Sequence, residues 1–294
     1  MTELSASAAL MVGAALAEIT YTYDTRDVIL YALGVGAPVD VTDQDELRFV
    51  YELSSIGFRV LPTFPTVFPN AMIHGLIQGE LPGGLKFNPM MLVHGEQRLA
   101  LKAPLPAAAT ITCKPVISAV YDKGSGMLLV VDVPCYDQKG QEIALSQSSM
   151  FIRGLGGYGG DRGPSSTSIP LPERAPDAAV SEKTLPQQAL IFRLSGDINP
   201  LHADPMMAAF GGFDRPILHG LSTFGYAGRA VLKHFCENDP TRFKSIKARF
   251  AGHVFPGETL ITEMWREANE VIFQTRVAER GTVVLNQAVV ELQG

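Results

Sequence analysis

The alternation of apolar and polar residues changes period several times along this chain, and the changes divide it into two halves built to one plan. In the first half, strand-like segments near 91–102, 109–121, 126–136 and 141–152 are separated by a Pro104/Pro106 break and by the turns Asp122-Lys123-Gly124-Ser125-Gly126 and Asp137-Gln138-Lys139-Gly140. The second half repeats the pattern near 245–254, 259–266, 271–279 and 282–292, with breaks at Pro256-Gly257, Glu267-Ala268-Asn269 and Arg280-Gly281. Ile246, Ala248 and Phe250 alternate with Lys247 and Arg249, as in an antiparallel strand with one covered face. A helical period occurs once at full length: Leu221, Phe224, Ala227, Gly228, Val231 and Phe235 predict a helix over 219–236 with one buried side. The first half offers only brief helical stretches, near 26–33 and 71–78, with Pro62, Pro65, Pro69 and Pro82 around the second.

Each half therefore reads as a sheet of hairpins that needs a helix to cover it, and the first half has only a reduced one. The class is α+β with duplicated antiparallel sheets. A sheet short of its cover leaves apolar surface free for a ligand. Phe64, Val67, Phe68, Met72, Ile73 and Met90 are the candidate lining. The expected units are residues 1–153, a linker over 154–177 containing six Gly and four Pro, and residues 178–294. Within the linker, Gly154-x-Gly156-x-x-Gly159 matches a dinucleotide fingerprint. Such a loop must open a helix, and Pro164, Pro170, Pro172 and Pro176 forbid one, so the match is read as a decoy.

Composition narrows the partners. The 294 residues are 46% hydrophobic and 18% charged, with mean hydropathy +0.13 but no run that could span a bilayer. A formal charge of −6 argues against nucleic acid, whose phosphates call for a basic face. Residues 8–17 imitate the core of a signal peptide, yet Glu3 precedes them and no Lys or Arg comes before Arg26. Cys113, Cys135 and Cys236 have no metal-ligand spacing and read as free thiols in a reducing compartment. The ending Glu291-Leu292-Gln293-Gly294 is no peroxisomal address of the Ser-Lys-Leu kind, so the expected location is cytoplasmic.

Chemistry concentrates in Ser195-Gly196-Asp197-Ile198-Asn199-Pro200-Leu201-His202, which sets an acid, an amide and an imidazole around a proline. Asn199 suits an N-cap and Pro200 a first helical position, so the chain turns with Asp197 just before the turn and His202 just inside it. Both side chains could then address one water. Further on, His219-Gly220 opens the long helix, and the first-turn N–H of Gly220 lies where a developing oxyanion can be held.

Phe192-Arg193-Leu194-Ser195-Gly196-Asp197-Ile198-Asn199-Pro200-Leu201-His202-Ala203-Asp204-Pro205, continued by Gly212-Phe213-Asp214-Arg215-Pro216-Ile217-Leu218-His219-Gly220, resembles the (R)-specific 2-enoyl-CoA hydratases of the MaoC-like group. The segments from Arg26 to Ala37, His94-Gly95-Glu96-Gln97 and Phe255-Pro256-Gly257-Glu258-Thr259-Leu260 are similar to the two-domain members, including the hydratase part of the peroxisomal multifunctional enzyme. The resemblance implies a double hot-dog fold, the second sheet wrapped around a long central helix and the first with a reduced helix. It also implies reversible hydration of a trans-2-enoyl-CoA to the (3R)-3-hydroxyacyl-CoA, with no cofactor and no metal. Asp197, His202, Asn199 and Gly220 become the catalytic candidates, and His94, Gly95, Lys123 and Phe250 the acyl-CoA contacts. Asn199 is expected to fix the water or the Asp197 carboxylate, and Glu52, which matches a family acid, to play a supporting part. His219, His234 and His253 read as structural. The expected partners are the acyl-CoA and a second copy of the chain, without nucleic acid or membrane insertion. A hot-dog thioesterase and a non-catalytic acyl-CoA binder are the rival readings.

Overall fold

The structure, a computed structural model, describes residues 3–76, 79–164 and 168–293. The first half runs α1 (Glu3–Met11), β1 (Ile19–Tyr23), α2 (Thr25–Gly34), α3 (Gln44–Leu47), α4 (Asn70–Leu76), β2 (Glu80–Leu81), β3 (Leu85–Lys86), β4 (Leu92–Leu101), β5 (Ala109–Cys113), β6 (Val116–Asp122), β7 (Gly126–Tyr136) and β8 (Glu142–Arg153). The second runs β9 (Ala178–Lys183), α5 (Gln188–Phe192), α6 (Pro205–Phe210), α7 (Gly220–Cys236), β10 (Phe243–Phe250), β11 (Thr259–Glu267), β12 (Glu270–Val277) and β13 (Val283–Leu292).

The two expected antiparallel sheets are present, and they join edge to edge. Strands β4 and β10 pair from Ser245 opposite Ala100 to Arg249 opposite Glu96, which makes one sheet of eleven strands in the order β1-β5-β7-β8-β4-β10-β13-β12-β11-β9, with β6 beside β7. Across that seam Arg249 donates twice to Glu96, at 2.9 and 2.6 Å, and Lys247 lies 3.3 Å from the same carboxylate. The segment predicted as one strand over 109–121 divides into β5 and β6 at Lys114-Pro115, because proline cannot supply a ladder N–H. The edge strands β1 and β9 were not legible: each is short and half exposed, with little apolar contrast.

Helix α7 is buried on nearly every side, from Leu221 through Leu232. The sheet covers one side of it, and Gly34, Val35 and Gly36 of the first half approach another. A Cβ on Gly225 would come 2.3 Å from the Val35 side chain, and one on Gly36 would enter the Tyr226 ring, so both contacts need glycine. Polar groups complete the junction. Ser222 donates to the Gly34 carbonyl at 2.9 Å, and Gln188 to those of Leu33 and Gly34 at 2.9 and 2.8 Å. The buried Arg229 guanidinium donates to the Val35 carbonyl at 3.2 Å and pairs with Glu182 at 2.8 Å, which satisfies a charge too costly to leave alone in the core.

In the first half a 3-10 turn over Phe64–Val67 and the seven-residue α4 stand where a full helix would lie. The open groove expected there is closed by its own aromatics. Phe64 packs at 4.9 Å from Tyr23, 5.3 Å from Tyr31 and 5.2 Å from Phe68, while Phe68 stacks on Tyr23 at 5.5 Å. Phe64, Val67 and Phe68 have no accessible surface and therefore wall no cavity that a water could enter. Met72 is also buried and Met90 is exposed; residues 77–78 and the Ile73 side chain lie outside the described residues. A cavity of about 470 Å³ does lie along the β4–β10 seam, but at its other end, lined by Phe58, Val60, Leu101, Leu105, Phe243 and Lys102 among others.

Candidate active site

The loop between α5 and α6 builds the site through backbone geometry that its sequence dictates. Gly196 closes a 3-10 turn over Arg193–Ser195 at φ 110°, a conformation L side chains rarely adopt, and this redirects the chain into Asp197. Asp197 then accepts the N–H of Asn199 at 3.1 Å, and Asn199 caps the next turn by accepting the N–H of Leu201 at 3.1 Å. The carbonyl oxygen of the Asn199 side chain thus holds the turn, and its backbone rather than its amide holds the Asp197 carboxylate. Pro200 follows in the first helical position, and His202 ends that turn with its ring buried.

His202 and His219 stack with ring centroids 3.7 Å apart and planes at 28°. The Nδ1 of His202 lies 2.9 Å from the Ile217 carbonyl, which can only accept, so Nδ1 carries the proton and Nε2 keeps its lone pair. His219 donates from Nε2 to the backbone carbonyl of Asp197 at 3.2 Å, which ties the start of α7 to the Asp197 loop. Burial pushes the His202 imidazole below its ordinary value, opposed by the Asp197 charge and the Ile217 carbonyl. Burial and the neighbouring His202 push His219 lower still. Both rings are therefore neutral at pH 7.

The ligating atoms of Asp197, His202 and His219 all lie within 4.8 Å of one another, the one such metal-capable group found among the described residues. With the rings stacked at 28°, their in-plane lone pairs lie in two nearly parallel layers about 3.7 Å apart, which does not suit the tetrahedral convergence that a zinc site needs.

Gly220 begins α7, so its N–H has no partner within the helix and points out at the positive end of the dipole. Phe250, at the end of β10, closes over it: a Cβ on Gly220 would lie 3.0 Å from the ring. Phe250 also meets His94 edge to face, with centroids 4.9 Å apart. His94 reaches this position because Gly95 is the extra residue of a β-bulge, His94 facing Met150 and Glu96 facing Ser149, and a bulge re-aims side chains at a sheet edge or site. The His94 imidazole is pushed down to about 4 by burial, partly offset by the Glu96 backbone and the Asp197 charge, and its Nε2 has no protein partner among the described residues.

The structure thus brings Asp197, His202, Gly220, His94, Gly95 and Phe250 together, with Asn199 beneath them. Lys123 lies apart, in the turn between β6 and β7. Glu52 is exposed in a surface loop; the acid buried near it is Glu46, which receives Lys233 of α7. His234 is exposed and His253 packs between Phe213 and Phe255, both consistent with structural parts. Asn70 was not legible in the sequence. Its buried side chain opens α4 and donates to the Ser195 carbonyl at 3.3 Å, so a residue of the first half steadies the loop that carries Asp197 in the second. Nothing in the residues around Asn70 signals this contact.

Comparison with known proteins is consistent across the chain. Residues 21–154 match the model of the MFE-2 hydratase 2 N-terminal domain, and residues 168–288 that of the MaoC like domain. The probable enoyl-CoA hydratase 2 of Dictyostelium discoideum is 45% identical over 92% of this chain and 91% of its own length. The peroxisomal multifunctional enzyme type 2 of Mus musculus is 46% identical over 96% of this chain, which spans 38% of that protein. The crystal structure of the MaoC-like dehydratase from Phytophthora capsici superposes with a TM-score of 0.85 at 37% identity, covering 98% of this chain and 97% of that one. Among the described residues no helix is long and apolar enough to cross a membrane.

Proposed function

Because the chain belongs to the MaoC-like enoyl-CoA hydratase 2 family, we propose that it adds water reversibly across a trans-2-enoyl-CoA to give the (3R)-3-hydroxyacyl-CoA, using Asp197 and His202 on one water. The observation that carries this assignment is the His202 ring, held neutral with its Nε2 lone pair free beside the Asp197 carboxylate and the Gly220 N–H.

In the forward direction the water gives a proton to Nε2 of His202 as its oxygen bonds to C3. The alkene electrons move onto the thioester oxygen, where the N–H of Gly220 stabilises the enolate. The imidazolium, paired with the Asp197 carboxylate, returns its proton to C2. His94, Gly95 and Phe250 flank the acyl thioester, and Lys123 meets the charged end of CoA. One face of the alkene is presented to one water, which accounts for a single product hand. Cytoplasmic residence remains our expectation for this chain on the strength of its free thiols, although the mouse relative is named as peroxisomal.

Incubation with crotonyl-CoA tests the reaction class. Loss of enoyl absorbance without thiol release supports hydration, with chiral analysis expected to give the (3R) product. Thiol release would identify a thioesterase, and no change a binder.

A further inference from the structure

The glycine-rich linker, whose fingerprint was set aside as a decoy, is ordered where it leaves β8. Gly154 donates to the Ser125 carbonyl at 2.9 Å, and the chain then folds back over the turn between β6 and β7. Asp122, at the end of β6, anchors it. Its carboxylate accepts the N–H groups of Gly124, Gly157 and Gly159, each at 2.8 Å. Gly156 passes so close that a Cβ would lie 2.4 Å from the Gly124 carbonyl oxygen. The Asp122 carboxyl is held down to about 2, first by the Gly157 N–H, so its charge is engaged by amides and not by a side-chain cation.

This anchoring sets two cations on one turn. The Lys123 ammonium donates to the Arg162 carbonyl at 2.5 Å and sits 5.3 Å from the Tyr121 ring centroid. The Arg162 guanidinium reaches the same turn, with Nη2 3.8 Å from where a Gly124 Cβ would be. A third cation, Arg153, lies opposite Gly126 in the β7–β8 ladder. The nearest linker acid, Asp161, accepts the Gly163 N–H at 2.8 Å.

The position relative to the catalytic centre follows from register. His94 faces Met150, Met150 faces Leu129, and Gly126 is three residues further along β7. Two strand spacings across and three residues along amount to about 14 Å, on the order of an extended pantetheine arm. We propose that the linker turn is a phosphate clamp in which Arg162 acts with Lys123 on the phosphates of CoA, and Asp122 is the positioning residue that holds both. This rests on the acyl-CoA reading above.

The test compares Arg162→Ala with wild type on crotonyl-CoA and on crotonyl-pantetheine, which lacks the phosphates, and measures free CoA and free pantetheine binding by calorimetry. Loss of one charge-assisted contact is expected to raise KM for crotonyl-CoA about tenfold and weaken CoA binding to match, with kcat and the pantetheine ester unaffected. Arg162→Lys should recover part of the loss. Asp122→Ala should reproduce the KM effect on the CoA ester alone. Wild-type affinity of Arg162→Ala for CoA, or equal losses on both esters, would overturn the clamp. A wild-type chain that hydrates neither ester would overturn only the hydratase reading, because calorimetry still reports the clamp.

Discussion

His202 and His219 face each other ring to ring at 3.7 Å inside the protein, and two imidazoles so placed cannot both be charged. Each also has its proton fixed by a backbone carbonyl, that of Ile217 for His202 and that of Asp197 for His219. Both rings are therefore held neutral inside the fold.

Stability should accordingly fall in acid. His94, His202 and His219 all have folded values below the ordinary 6.5, so the unfolded chain takes up protons that the folded chain excludes. Their contribution is complete above about pH 6.5 and is lost as pH falls from there through the folded values, that of His94 being about 4. Urea midpoints at pH 7.5, 6 and 5 are expected to decline in that order. A midpoint flat across this range would show that the rings are solvated.

Asp197→Asn and His202→Ala should each reduce kcat by about 10²- to 10⁴-fold, Asp197→Asn with little change in thermal midpoint and His202→Ala with a lower one, because it removes a buried ring and the donor to the Ile217 carbonyl. If the two groups act on one water, as proposed, the double variant should be about as poor as the worse single. Multiplicative losses in the cycle would mean that the residues act separately.

Gly220→Val should lower kcat/KM by about 10²-fold, since its side chain must displace the Phe250 ring that packs against the N–H proposed to receive the enolate. Gly220→Ala, whose single carbon meets that ring at 3.0 Å, should lose less. Steady-state rates on crotonyl-CoA decide it, and a Val variant near wild type would remove the close approach at this residue.

Asn70→Ala should cost about 1 kcal/mol of stability, because the buried Ser195 carbonyl loses its donor. It should also lower kcat severalfold by loosening Gly196 and Asp197. Denaturation and kinetics together read both effects. A variant with wild-type kcat would confine Asn70 to packing.

The thiols of Cys113 and Cys135 face each other across β5 and β7 with sulfurs 3.5 Å apart, and both are buried. Their mutual contact and burial push Cys135 up, and burial pushes Cys236 up to about 11. A thiol-reactive disulfide reagent should find none of the three cysteines in the native chain and all three in guanidinium. Fast native labelling would contradict the buried arrangement.

Period and turn chemistry made the long strands and α7 legible, because one face of each meets the core and leaves an alternating record. The loop from Asp197 to His202 was legible for another reason: its capping and turn residues, Asp197, Asn199 and Pro200, lie within a few positions of one another, so their geometry is local. Contacts between the halves left no such record. The donation from Asn70 to Ser195 and the pairing of β4 with β10 join residues more than a hundred positions apart. Nor did a missing helix imply an empty space, since Tyr21, Tyr23, Tyr31, Phe64 and Phe68 fill it from several elements at once.

The β4–β10 ladder also governs what would happen to either half expressed alone. Cutting the chain in the linker would strip each central edge of its partner, exposing Glu96 to Ala100 on one fragment and Ser245 to Arg249 on the other as unpaired strand. Such edges recruit whatever strand they meet. Separate halves are therefore poor candidates for soluble modules unless made together, when each supplies the strand that the other lacks.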